Sequence, residues 1–375
     1  MPDISLHQEF PLDSSICYLN HAAVAPWPKR TADAVCDFAR ENTQRGAANY
    51  PAWMKVEQTL RNRLAELIGA QSPRNIALQK NTSEGLSAIA YGLNWRAGDT
   101  IVITDQEFPS NRIVWESLAD KGVTLCEVSL TSASPEHAII DALDESVRLL
   151  SVSSVQYGTG LVLDLDVLGE ACSQKGILFC VDAIQSIGAL PFNVNQCQAD
   201  FVVADGHKWM LGPEGLALFY VSDQAMDKLS LNQYGWHMVE DRGNYNVKTW
   251  EVAQDAKRFE CGSPNMMGAY ALNASLSLLL EYGMDNVQRE LLSKVAFLEQ
   301  ALIRHNDLEL ITDTERTRRS GILTFRHRKI SSESLYSQLM AQGVICACRG
   351  GGVRFSPHFY TPESQLARAV ELIPA

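Results

Sequence analysis

The sequence predicts an α/β protein in which a large domain with a mostly parallel sheet is followed by a smaller α+β domain. Three observations predict it. Between about residue 75 and residue 221 short apolar runs alternate with helical patterns, as strands joined by helical crossovers do. Those runs are almost continuously apolar, which suits strands covered on both faces. After Pro264 the pattern changes to two long helical stretches, three strand-like segments and a closing helix.

Taken in order, TADAVCDFAREN and AWMKVEQTLRNRLAELIG read as amphipathic helices, the second stopped by Gly69. The strands of the large domain are TIVIT, VTLCEV, RLLSVSSV, ILFCVD, DFVVAD and LALFYV, separated by helical segments such as SEGLSAIAYGL and LDVLGEACSQKG. In the smaller domain AYALNASLSLLLEYG and DNVQRELLSKVAFLEQALIRHN are helices. GILTFRHR, GVICACR and GVRFS are strands, and PESQLARAVELI closes the chain as a helix with Pro362 near its first turn. TERTRRSG, residues 314 to 321, reads as a solvated charged loop. The organisation expected is an N-terminal segment (1–25) packing near the active site and the small domain, a large domain (26–262), and a connecting helix with the small domain (263–375).

Composition excludes several classes of function. The 375 residues carry a formal charge of −12, which repels a phosphate backbone or an anionic lipid surface. No nucleic-acid or membrane partner is expected. No stretch approaches the roughly 20 apolar residues of a membrane span, and MPDISLHQEF lacks the regions of a signal peptide, so the expected compartment is the cytoplasm. The nine cysteines are odd in number and scattered, which suits reduced, buried thiols. Cys346 and Cys348 form a CxC whose alternation fits a half-buried strand better than a metal site, and no metal is expected.

The candidate chemistry lies at strand ends. VDAIQSIG carries Asp182 where its strand stops, the edge at which open α/β sheets bind ligands. Taken alone, Asp182 is also a suitable helix N-cap. One crossover later VVADGHKWMLGPEGL presents His207, Lys208 and Trp209 before a Gly-Pro turn. A lysine of lowered basicity forms an imine with an aldehyde, and a carboxylate nearby can hold a protonated pyridine nitrogen. Pyridoxal phosphate matches that pair. QKNTSEGLSAIAYGL adds Asn81, Thr82 and Ser83 at the start of a helix, an arrangement able to cradle a phosphate or simply to cap the helix.

These segments, together with FECGSPNMMGAYAL, YLNHAAVA and VRFSPHFY, resemble the class V aminotransferase family of pyridoxal-phosphate enzymes, which includes cysteine desulfurases, kynureninase and isopenicillin N epimerase-like proteins. The resemblance covers nearly the whole chain. It implies fold type I, with a large, mostly parallel seven-stranded sheet domain and a small α+β C-terminal domain. It also implies a homodimer with active sites at the subunit interface. Lys208 resembles the Schiff-base lysine that also moves the Cα proton, and Asp182 the partner of the pyridine nitrogen. Gln185, with Gln156, resembles the contacts to the phenolic oxygen. Phe108 stands where a residue stacks on the ring, though a core role suits it equally. Thr82, Ser83 and His207 resemble phosphate or ring contacts, and Ser263 one that reaches the neighbouring subunit's phosphate. Arg354, after a glycine-rich turn, resembles the arginine that grips the α-carboxylate of an α-amino acid substrate. Asn20 and His21 resemble residues covering the substrate side.

Two features depart from the desulfurases. Cys346 and Cys348 lie too close to Arg354 for the family's mobile cysteine loop, and Asp205 replaces a hydroxyl residue near the phosphate. The resemblance therefore ranks a transaminase or epimerase-like reaction first and a cysteine desulfurase or C–S lyase second. A catalytically silent cofactor-binding or structural homodimer is the reading of another class.

Overall fold

The computed structural model describes residues 4–132, 134–246 and 248–375. A short strand, β1 (Cys17–Tyr18), and two long helices, Lys29–Arg45 and Tyr50–Leu67, precede the main sheet. That sheet contains β2 (Ile76–Gln79), β3 (Thr100–Thr104), β4 (Thr124–Val128), β5 (Val147–Ser153), β6 (Leu178–Asp182), β7 (Phe201–Asp205) and β8 (Ala217–Val221). Their spatial order is β2-β8-β7-β6-β5-β3-β4. Strands β3 to β7 are parallel, whereas β8 runs antiparallel to both of its neighbours. The reason is the connection. No helix separates β7 from β8, so the chain returns directly, and a parallel pairing would need a longer crossover.

The central strands are apolar throughout because each has two faces to cover. Val202 and Ala204 of β7 join one core with Phe179 and Val181 of β6, while Phe201 and Val203 join the other with Leu178 and Cys180. Alternate residues feed opposite layers of packed helices. Fully burying one such side chain stabilises the fold by about 1.5–3 kcal/mol.

The helices Met266–Tyr282 and Met284–Ile303 lead into the small unit. Its antiparallel sheet has the order β12-β13-β10-β9, formed by β9 (Leu308–Leu310), β10 (Leu323–His327), β12 (Ala347–Arg349) and β13 (Gly352–Phe355). Between them β11 (Val344–Ile345) pairs in parallel with β1. The segment GVICACR is thus two strands rather than one: Cys346 marks the point where the chain leaves the N-terminal strand for the small sheet.

TERTRRSG differs from the solvated loop expected. Arg318 forms a two-pronged ion pair with Glu136, Arg319 pairs with Glu299 at 2.8 Å, and Ser320 is buried with its hydroxyl donating to the Gly160 carbonyl. The run therefore ties the small sheet to the large unit. A second buried ionic group lies against the edge strand β2. Arg61 donates to Glu260 (2.6 and 2.7 Å), to Glu57 (2.5 Å) and to the Ile76 carbonyl (2.9 Å). No helix among the described residues is long and apolar enough to cross a membrane.

Candidate active site

A cavity of about 260 Å³ opens at the carboxyl ends of β3, β5, β6 and β7, and Asp182, Gln185, Asp205, His207, Lys208, Phe108, Thr82 and Arg354 all line it. Parallel strands bring these ends together. Asp182, at the end of β6, pairs in register with Val203 of β7, two residues before the strand ends at Asp205. Lys208 follows three residues later.

The loop bearing Lys208 is held in place from several sides. Leu211 adopts a left-handed backbone (φ 61°), uncommon for a residue with a side chain, and its N–H returns to the Lys208 carbonyl at 3.0 Å. Gly212 donates to Gly206 at 2.8 Å, and the indole of buried Trp209 donates to Gln185 Oε1 at 2.8 Å. At Gly188 a Cβ would collide with the Trp209 carbonyl, so only glycine lets the Asp182 loop approach the Lys208 loop this closely. These contacts fix the carboxylate relative to the amine.

Burial governs the charges. Lys208 is buried, and desolvation lowers its pKa to about 8, opposed by the carboxylates of Asp182 and Asp205. Desolvation raises Asp182 to about 7, with Glu107 adding repulsion and Lys208 opposing the rise. One Asp182 oxygen accepts the Ile184 N–H at 3.1 Å; the other receives no hydrogen bond from the described residues. The Lys208 ammonium lies 5.6 Å from the centroid of the Phe108 ring, which itself packs edge-on against Tyr157.

The opposite wall carries Arg354. It is buried on β13, donates from Nη1 to the Tyr157 carbonyl at 2.6 Å, and leaves Nε and Nη2 without partners. A buried guanidinium with open N–H groups is costly unless an anion completes it. Desolvation lowers its pKa to about 10, assisted by Arg349.

The other expected residues are placed variously. Thr82 opens the helix Thr82–Gly92, and its hydroxyl has no partner. Its N–H donates to Asp205 at 3.1 Å, so that carboxylate already occupies part of the helix N-terminus, and burial pushes its pKa up. His207 Nδ1 is buried and unpartnered, 3.9 Å from Asp205 Oδ1, and desolvation lowers the imidazole pKa to about 4. Ser83 is exposed and meets Ser110, itself a lining residue, at 2.8 Å. Gln156 lies behind the wall, its amide directed to Glu107 and Thr104 and its Oε1 unpartnered. Ser263 is exposed and outside this chain's cavity.

His21 does not reach the cavity. Fully buried, it bonds through Nδ1 to the Ser356 carbonyl (2.8 Å) and through Nε2 to the Tyr360 hydroxyl (2.7 Å). Asn20 forms a bridge with Ser356 and also stays out of the lining; Ala22, Ala23 and Val24 line it instead. These two polar residues clamp the N-terminal segment to the C-terminal one. His358 belongs to the same clamp and contacts the Trp209 carbonyl at 3.2 Å.

Sequence reasoning missed Glu107. Buried after β3, it accepts from Thr104 (2.7 Å), Asn111 (2.8 Å), the Ser153 N–H (2.9 Å) and Ser153 Oγ (2.5 Å), locking the ends of β3 and β5 around Phe108. Its position at the carboxyl edge of a strand, beside Phe108 in QEFPSN, is the signal that could have found it. Arg349, at the other end of the turn preceding Arg354, was also missed and lines the cavity.

The unsatisfied groups suit pyridoxal phosphate. An amine of lowered basicity, a carboxylate oxygen without a donor, an aromatic face and an unpartnered threonine hydroxyl at a helix start correspond to its aldehyde, ring nitrogen, ring and phosphate.

Comparison with known proteins agrees. The family model "Aminotransferase class-V" matches residues 17–366. A probable cysteine desulfurase of Methanothermobacter thermautotrophicus is 28% identical, with 96% of this chain and 94% of that protein covered. Among solved structures, C-DES in a lysine-to-alanine variant, with glycine covalently linked to its pyridoxal-phosphate cofactor, superposes with TM-score 0.90 at 21% identity, covering 99% of this chain and 100% of that one. The same cystine C–S lyase bound to its product cysteine persulfide gives TM-score 0.88 at 22% identity over 96% and 99%. Such identities establish the shared fold. The names favour the carbon–sulfur branch over the transaminase or epimerase-like branch that the sequence ranked first.

Proposed function

We propose, for a chain that belongs to the class V aminotransferase family, a pyridoxal-phosphate-dependent C–S lyase that acts on a cysteine-derived α-amino acid. The observation that carries it is the shared cavity of Lys208, Asp182 and Arg354, in which a carboxylate-binding cation with two open N–H groups faces an amine of lowered basicity. When bound, pyridoxal phosphate supplies an aldehyde for the amine and a ring that draws electrons from Cα. Thr82 and His207 would hold its phosphate end, Phe108 its ring face and Asp182 a proton at the ring nitrogen.

Arg354 would bind the substrate carboxylate through Nε and Nη2, fixing Cα within the cavity. Lys208, its pKa lowered to about 8, can take the Cα proton as a free amine and, as an ammonium, give it to the departing sulfur. Glu107 keeps the β3 and β5 ends, and with them Phe108, in register. Once the Cα proton is lost, sulfur departs with the electron pair of the Cβ–S bond. The three-carbon remainder takes up water to give pyruvate and ammonia.

Elimination is favoured over transfer of sulfur to a protein thiol by the small sheet. Cys348 pairs with Val353 on β12 and β13, and strand alternation sends it to the face opposite Arg349 and Arg354. Among the described residues no cysteine lines the cavity, and burial pushes the Cys346 thiol up to about 12. The test is product analysis. L-Cysteine and L-cystine should yield pyruvate and ammonia in equal amounts, and the double variant Cys346→Ser/Cys348→Ser should retain wild-type turnover within about twofold. Alanine as the product, lost in that variant, would replace this reading with desulfuration. A strict requirement for a keto acid would replace it with transamination.

A further inference from the structure

The phosphate end of the cavity holds a carboxylate where an anion is to be bound. Asp205 ends β7 in register with Ala217, and its Oδ2 accepts the Thr82 N–H at 3.1 Å. Its Oδ1 is buried without a partner. His207 Nδ1, likewise buried and without a partner, faces that oxygen across 3.9 Å. The other ring nitrogen, Nε2, bonds to none of the described residues, and the imidazole lines the cavity. Both residues are held by their backbone. Between them Gly206 donates to the Leu216 carbonyl at 3.0 Å and accepts from Gly212 at 2.8 Å, while the His207 carbonyl accepts the Ala25 N–H at 2.8 Å.

The charged groups around this pair leave it uncompensated. Lys208 supplies its amine to the aldehyde, Asp182 on β6 and Glu214 in the turn after Lys208 add negative charge, and Arg349 and Arg354 belong to the hairpin of the small sheet. On the helix Thr82–Gly92, Glu84 turns away to the Lys80 N–H. A phosphate dianion set against an ionised Asp205 with no cation between them is repelled. We propose that Asp205 and His207 act as one proton-holding pair, so that binding of a phosphorylated B6 compound takes up a proton from solvent, carried on the imidazole between carboxylate and phosphate. Nδ1–H then donates to Asp205 and Nε2–H to a phosphate oxygen, a charge-assisted bond at each end. Without the anion, burial keeps the imidazole neutral, its pKa lowered to about 4. Asp205 acts through the histidine and is a positioning residue. This deepens the cofactor reading and rests on it, but not on which reaction follows.

The probe is pyridoxine 5′-phosphate, whose alcohol in place of the aldehyde forms no bond to Lys208. It is titrated into the cofactor-free protein at about pH 7, where its phosphate is chiefly a dianion. Calorimetry in two buffers of different ionisation enthalpy counts the protons exchanged. The wild type should take up about one proton, and its affinity should fall by up to about tenfold per pH unit above that pH. His207→Gln should lose the uptake and bind about tenfold or more weakly, because Asp205 and the phosphate then meet with no cation between them. Asp205→Asn, whose amide oxygen still accepts the Thr82 N–H, should lose most of the uptake. The double variant Asp205→Asn/His207→Gln should bind more tightly than His207→Gln alone, a rescue that a merely structural histidine would not show. Full uptake in either single variant, or no rescue in the double one, overturns the proposal. Binding by the wild type without uptake overturns it while leaving the cofactor reading intact. Failure to bind both this probe and pyridoxal phosphate removes the two together.

Discussion

Two groups of buried charge in this molecule have opposite characters. Beside the edge strand β2 of the main sheet Arg61 gives four hydrogen bonds to Glu57, Glu260 and the Ile76 carbonyl, and Glu260 also accepts the Leu78 N–H at 2.7 Å. At the carboxyl end of the same sheet Arg354 gives one bond and leaves two N–H groups open, while Lys208 and Asp182 face each other with no direct bond between them. The first arrangement is closed in that it pairs its charges internally, although Arg61 Nε and Glu57 Oε2 keep no partner, and removing a member leaves an uncompensated ion. The second is left incomplete by the fold itself, at a cost in stability that a bound ligand offsets. Burial alone therefore does not mark a functional site. Buried charge without an ion-pair partner, opening into one shared cavity, does.

The largest expected effect is on the open group. Lys208→Ala should lower turnover by roughly 10³-fold, the scale of a lost proton-transfer residue, while pyridoxal phosphate still binds noncovalently. The melting temperature of the cofactor-free protein should stay level or rise, because a desolvated amine has been removed. Absorbance of the bound cofactor and thermal melts check both; a large fall in melting temperature would place Lys208 with the closed group. Next is Arg61→Ala, expected to cost about 3–5 kcal/mol in denaturant unfolding, since Glu57 and Glu260 would be left buried without their cation. Survival of that variant at wild-type stability would break the contrast. Arg354→Lys should be smaller still, raising KM for α-amino acids about tenfold or more through loss of the planar fork, with stability changed by less than about 1 kcal/mol.

How much of this was legible in the sequence follows the same division. Asp182 and Lys208 could be placed because the first ends an apolar run and the second follows another by three residues, and period and position identify strand ends without any knowledge of packing. Six strands were legible for the same reason, whereas Ile76–Gln79 is too short to stand out and the reversed direction of β8 depends on the missing crossover. His21 was misread: its neighbours Ala22, Ala23 and Val24 line the cavity, but the imidazole turns to Ser356 and Tyr360, partners over three hundred residues away. Glu107 and Arg349 were overlooked because their significance lies in pairings between segments distant in the chain or in a hairpin register. The charged run at 314 to 321 is solvated by composition and tied down in fact, since Glu136, the partner of Arg318, is likewise remote in sequence. Local chemistry can be read along the chain; the partners that complete or deny it cannot.

The smallest effect expected sharpens the contrast through pH. His21 belongs to the closed kind: with Nδ1 donating to the Ser356 carbonyl and Nε2 accepting from Tyr360, the neutral ring is fully satisfied, and burial lowers its pKa to about 4. His358, buried beside it, is lowered too. A histidine of the unfolded chain titrates near its ordinary value of about 6.5, so between that value and about 4 the unfolded state binds more protons than the folded one. The contribution of His21 to stability should therefore be level above about pH 7, decline as pH falls through this window, and lose no more below it. Replacing His21 with Gln should flatten the slope of unfolding free energy against pH by up to about 1.4 kcal/mol per pH unit, whatever its effect on absolute stability. Lys208 should respond in another window and by another readout: covalent capture of pyridoxal phosphate by the cofactor-free protein should accelerate as pH rises through about 8, where the buried amine loses its proton. If capture instead rose only toward the ordinary lysine range near 10.5, the amine would be solvated like any surface lysine, and the distinction between a closed and an open buried charge would lose its principal member.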